Sequence, residues 1–94
     1  RYQPEIVLAN AIEDRHPDHG KGAALAIDAC FFSGLRMIHT TEKDGTPQTA
    51  WRPKSVYHYI QDRYIKPDFV VDISNFWHIK ESAIRAFRSQ FYDP

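Results

Sequence analysis

Four apolar residues in an unbroken row, Ile6-Val7-Leu8-Ala9, are followed within a dozen positions by a small-residue-rich stretch of helical spacing. An apolar run without polar alternation marks a strand covered on both faces, as in parallel sheets. Parallel neighbours cannot be joined by a tight hairpin, so the chain must cross over, usually through a helix. The sequence supplies one: the pattern predicts a helix from near Asp18, a good N-cap, to Gly34 at the C-terminal capping position. Ala23, Ile27, Cys30 and Phe31 share one stripe of it, with Lys21 and Asp28 elsewhere on its surface, so Cys30 reads as core.

The rest of the chain extends the same pattern. Residues 38–53 are polar and carry the turn signal Asp44-Gly45-Thr46-Pro47, which predicts an exposed connection. Ser55 to Gln61 has the β-branched and aromatic content of a second strand. After the interruption Lys66-Pro67-Asp68, the run from Phe69 to Ile73 reads as a third strand and implies a second strand pair. Ser74 or Asn75 then caps a last helix, whose face of Phe76, Ala83, Ile84, Phe87 and Phe91 is expected to pack on the sheet, with Glu81 and Arg85 paired one turn apart. Strand, loop, helix, strands, helix is the order of an α/β domain. The chain opens at Arg1 without a methionine and still shows a helical pattern as it reaches Tyr92. The expectation is therefore one partial domain over residues 1–94, the later part of a larger one.

Composition narrows the function classes. With 43% hydrophobic and 14% aromatic residues the chain is globular, and twelve basic against twelve acidic residues leave no electrostatic footprint for nucleic acid or an anionic membrane. A single cysteine forms no internal disulfide, and neither a secretory leader nor a membrane-spanning apolar stretch is seen, so the expected compartment is cytoplasmic.

The chemistry concentrates in Arg15-His16-Pro17-Asp18-His19-Gly20. This segment follows the first strand, at the carboxyl edge where α/β sheets gather their functional loops. Imidazole ligates borderline metals and titrates near neutral pH, so two beside a carboxylate point to metal binding or proton transfer. On residue types alone, a helix cap with an exposed ion pair competes evenly with that reading. His39 and His78 read as solvated, and His58 as a hydrogen-bonded structural residue. Tyr57, Tyr59 and Tyr64 read as packing with their hydroxyls at the rim, Glu13 and Asp14 as solvated loop charges, and Asp62 with Arg63 as a surface pair.

The run from Asn10 through Gly20, with Phe31-Phe32-Ser33-Gly34-Leu35, Tyr59-Ile60-Gln61-Asp62-Arg63, Pro67 through Ser74 and Ala86 through Phe91, resembles the LmbE-like (PIG-L) family of zinc-dependent N-acetylglucosaminyl deacetylases, and within it the bacillithiol branch. The resemblance covers nearly the whole chain but only the later part of the family's Rossmann-like three-layer α/β/α fold. It implies that His19 is the third zinc ligand, and that His16 stabilises the oxyanion as an imidazolium and assists the leaving amine. It further implies that Asp18 orients and charges His16; Arg15 is a substrate contact by proximity alone. Relatives carry the other ligands and the general base in a His-Pro-Asp-Asp motif near their start, which is not in these 94 residues. The implied cofactor is Zn2+, the implied substrate an N-acetylglucosaminyl conjugate such as the malate conjugate, and the implied assembly a homo-oligomer. Two alternatives stand beside this expectation: a metal-dependent phosphoesterase, since clustered histidine and aspartate also build two-metal sites, and a non-catalytic association fragment with exposed strand edges.

Overall fold

A computed structural model describes residues 1–91. β1 spans Ile6–Ala9, helix α1 Pro17–Ser33 and β2 Ser55–His58. The two strands pair in parallel, Ile6 opposite Ser55 through Ala9 opposite His58, so β1, α1 and β2 form the crossover unit that the apolar run requires. The α/β class stands. A 3-10 turn over Ser74–Phe76, α2 at Trp77–Arg85 and a short α3 at Arg88–Phe91 follow.

The first helix matches its expected limits, but its cap differs. His16, not Asp18, is the N-cap, in extended conformation, because Pro17 occupies the first helical position and steers the preceding residue away from helical angles. The side of α1 turned inward carries Ala23, Ala26 and Cys30; Ile27 and Phe31 are exposed, and Cys30 is half-buried rather than fully in a core. At the far end Arg52 secures the helix: its guanidinium donates to the Phe31 carbonyl at 2.9 Å and lies 4.7 Å over the Phe31 ring. A cation at a helix C-terminus meets the negative end of the dipole. The Trp51 amide donates to the Ser33 carbonyl and the Trp51 indole to the Pro4 carbonyl, tying the return segment to both α1 and the approach to β1.

The connection over 38–53 is largely exposed, as expected, with a tight turn at its centre. Thr41 and Pro47 form an antiparallel bridge, and Gly45 sits at φ 88°, a left-handed conformation that glycine adopts without strain.

Two expectations fail. Residues 69–73 form no strand: among the described residues no neighbour accepts their backbone hydrogen bonds, and the segment meets the sheet through Phe69, packed edge-on against Tyr57 with centroids 5.1 Å apart. The second strand pair is therefore absent from the described residues, and β2 itself stops at His58, three residues short of Gln61. Nor does the last helix pack on the sheet. Neither Ser74 nor Asn75 caps it: both lie in the 3-10 turn, the N-cap of α2 is Phe76 without a side-chain bond, Asp72 accepts from the Ser74 amide at 2.9 Å and from the Ser74 hydroxyl ahead of that turn, and the helical run breaks at Ala86. Among the described elements α2 touches only the 3-10 turn and α3, leaving Phe76, Ile84, Phe87 and Phe91 exposed. The Glu81–Arg85 pair forms at 2.7 Å.

Among the described residues the buried apolar ones are three alanines, Ala9, Ala11 and Ala23, all near the carboxyl end of β1 and the facing turn of α1. The radius of gyration is 16.8 Å, against about 12 Å for a closed domain of this length. The small interior thus sits directly beneath the histidine-bearing loop.

Candidate functional site

The loop between β1 and α1 is folded down onto the helix. A side chain at Gly20 would meet the Ile12 carbonyl at 3.2 Å, so glycine there permits backbone and helix to approach closely. Gly22 faces the Asn10 side chain, and His58, at the end of β2, contacts the Asn10 carbonyl through Nδ1 at 2.7 Å. The expected structural role of His58 as a hydrogen-bonded residue is what the geometry shows: it fastens the start of the loop to the sheet edge.

That folding brings residues 14, 16 and 19 together. His19 Nδ1 donates to Asp14 Oδ2, and the other oxygen of the same carboxylate accepts from the Arg15 amide at 2.7 Å. The Asp14 side chain is 4% exposed and that of His19 44%. Bonding to His19, aided by the Arg15 amide, holds the Asp14 carboxyl below the usual carboxylate range against the opposing effect of burial. His16 stacks on His19, with ring centroids 5.3 Å apart and planes 30° from parallel. Its Nδ1 accepts from the Asp18 amide at 3.2 Å, which completes the N-cap and leaves the proton of a neutral ring on Nε2.

The sequence-derived site residues therefore separate. His16 and His19 are brought side by side. The carboxyl of Asp18 is not engaged with His16: Oδ2 lies 3.9 Å from Nδ1, beyond hydrogen-bond range, and the side chain is 78% exposed. Asp18 instead places negative charge in the first turn of α1, where the helix dipole favours it. Arg15 is exposed and touches the cluster through its backbone. Asp14, expected as a solvated charge, is the covered carboxylate of the group. No local pattern marks it; only the packing of the loop on Gly20 does. His39, His78 and Tyr64 are exposed, and Tyr57 and Tyr59 border an open groove of about 550 Å³ that also includes Leu8, Ile12, His58 and Phe69.

The residues present fit one corner of a zinc site. A ligating histidine almost always donates its second ring nitrogen to a carboxylate or carbonyl, which is the arrangement of His19 on Asp14. Among the described residues, no three histidine, cysteine, aspartate or glutamate side chains converge closely enough to hold an ion. No described helix is long and apolar enough to cross a membrane.

No protein-family model matches the chain. Over 95% of its length it is similar to the crystal structure of the conserved protein TT1542 from Thermus thermophilus, at 35% identity and a TM-score of 0.79, and it spans 38% of the length of that protein. The α/β arrangement that carries the histidine loop is thus shared with a stretch of a longer chain.

Proposed function

We propose that this chain supplies the histidine-bearing part of a zinc-dependent hydrolase that removes acetyl from an N-acetylglucosaminyl conjugate, with N-acetylglucosaminyl-malate of bacillithiol biosynthesis as its substrate. In this reading it belongs to a cytoplasmic, homo-oligomeric enzyme of Rossmann-like three-layer α/β/α fold. The remaining zinc ligands and the general base come from outside these residues. The observation that carries the proposal is the pair of stacked histidines at the carboxyl edge of a parallel β1–β2 pair, one with a ring nitrogen held by a covered carboxylate. The resemblance of the Arg15–Gly20 run to the deacetylase family supplies the reaction class.

Each residue has a task in this scheme. His19 would hold the metal through Nε2, because Nδ1 is committed to Asp14. Zinc held there would supply a nucleophile at neutral pH, since such an ion brings the pKa of water down to about 7. His16 carries its proton on Nε2 and directs it at the carbonyl oxygen as negative charge develops there. In the imidazolium form, charged by the proton that the attacking water gives up, His16 Nδ1 would be a donor, would release the Asp18 amide, and would find the Asp18 carboxylate 3.9 Å away. Asp18 thus stabilises the imidazolium only after a small rearrangement. Giving that one proton to the departing amine would return His16 to its neutral form. The groove beside Ile12 and Tyr59 offers an apolar and aromatic floor for a sugar ring.

The test is acetate release from N-acetylglucosaminyl-malate by the intact protein, with zinc content measured in parallel. Wild type should carry one zinc and turn over. His19→Ala should lose zinc and activity together. His16→Ala should keep zinc while turnover falls by about 10² to 10³, the usual consequence of losing one oxyanion donor. A zinc-loaded protein that releases no acetate overturns the proposal.

A further inference from the structure

Within the zinc-hydrolase reading, on which this step rests, we infer that Asp14 is a positioning residue that fixes His19 in the Nδ1–H tautomer and thereby selects Nε2 as the metal-facing nitrogen. The two carboxylate oxygens are separately engaged, one by His19 Nδ1 and one by the Arg15 amide, so the carboxylate cannot rotate without losing a bond. An ionised carboxylate only accepts hydrogen bonds, which places the ring proton on Nδ1 and the lone pair on Nε2. The covered setting of Asp14 keeps water from competing for its oxygens.

The neighbouring ring is set the opposite way. His16 Nδ1 faces a backbone donor, the Asp18 amide, so its proton resides on Nε2. One loop therefore holds two stacked imidazoles in opposite tautomers: His19 offers a lone pair, His16 a proton. Pro17 keeps them distinct by starting the helix between them, which makes His16 the cap and places His19 inside the first turn. Sequence distance does not reveal the arrangement, because Asp14 and His19 meet only when the loop settles against Gly20.

Tautomers are read directly from the ring-nitrogen shifts of selectively labelled histidine in the metal-free intact protein, and metal affinity from competition with a chelator. Wild type should show His19 with its proton on Nδ1 and His16 with its proton on Nε2. Asp14→Ala should give a mixed tautomer at His19 and bind zinc 10- to 100-fold more weakly, the range typical of lost partners of ligating histidines. Asp14→Asn, which still accepts through its carbonyl oxygen but lacks charge, should retain the tautomer and lose less affinity. It also serves if the alanine variant does not fold, which amide protection along α1 reports. A wild-type His19 protonated on Nε2, or a folded Asp14→Ala with wild-type zinc affinity and tautomer, overturns the inference. Failure of the zinc reading looks different: His19→Ala would leave zinc binding unchanged, while the ring-nitrogen spectrum would still decide whether Asp14 sets the tautomer.

Discussion

Two aspartates four positions apart, Asp14 and Asp18, meet opposite fates because only one is covered. Residue type cannot separate them, since coverage is a property of how the loop lies on α1. A third aspartate allows a pH prediction away from the histidines. The Ser74 hydroxyl and amide both donate to Asp72, and these bonds hold its carboxyl below the usual value. A carboxylate depressed in this way contributes stability that is fully present above its unfolded value of about 3.9 and is lost as pH falls through the lower folded value. A carbon-detected titration should therefore place the Asp72 midpoint below about 3.9, with the Ser74 amide shift following the same curve. In Asp72→Asn that acid-side movement of the Ser74 amide should vanish. A midpoint at or above the unfolded value would mean that the turn over Ser74–Phe76 is not held by this side chain.

Elements announce themselves through period and caps, and their partners do not. The four apolar residues of β1, the span of α1 and the Gly34 stop are readable because local sterics and hydrogen bonding set them. The Phe69–Ile73 run has the same apolar character, yet an apolar run becomes a strand only when a neighbour accepts its backbone bonds. The single face expected of the last helix is likewise not kept: the run breaks at Ala86, so that Phe76, Phe87 and Phe91 fall outside α2. The end of α1 offers a test at this scale. Gly34 adopts ordinary helical angles, φ −87° and ψ −2°, so glycine is there for space: a Cβ would come within 2.5 Å of Arg52 Nε and 2.9 Å of Arg52 Cβ. Gly34→Ala should destabilise by about 1–3 kcal/mol through overpacking. Arg52→Ala should cost about 1 kcal/mol through loss of the carbonyl bond and ring contact at the helix end. Because both act on one contact, the double variant should be less destabilised than the two single effects together predict, as urea denaturation would show. Strict additivity would mean that Arg52 moves aside freely and does not secure α1.

At the scale of the molecule, surface area decides what the chain can do unaided. It exposes 8598 Å², where a closed monomer of its mass exposes about 5,600 Å². The difference, roughly 3,000 Å², is as large as an obligate interface. Much of it is apolar: Leu8 on β1, Leu25 on α1, and Val70 and Val71 beyond β2 all face outward, Val70 at 83% exposure. The 94 residues prepared alone should therefore bind a hydrophobic dye, elute as oligomers at dilute concentration, and unfold without a sharp transition. They should also hold zinc only weakly, above micromolar Kd, because affinity comes from several preorganised ligands and the described residues assemble no set of three. These outcomes are linked. Supplying zinc without covering the apolar faces would leave the loop over Ala9, Ala11 and Ala23 poorly fixed, and Asp14 would then lose the coverage that holds it on His19. Titrating zinc into the isolated chain while following the His19 ring-nitrogen signals tests both. A clean monomer with a fixed Nδ1–H tautomer and tight zinc binding would show that the loop organises itself without the cover that the exposed faces call for.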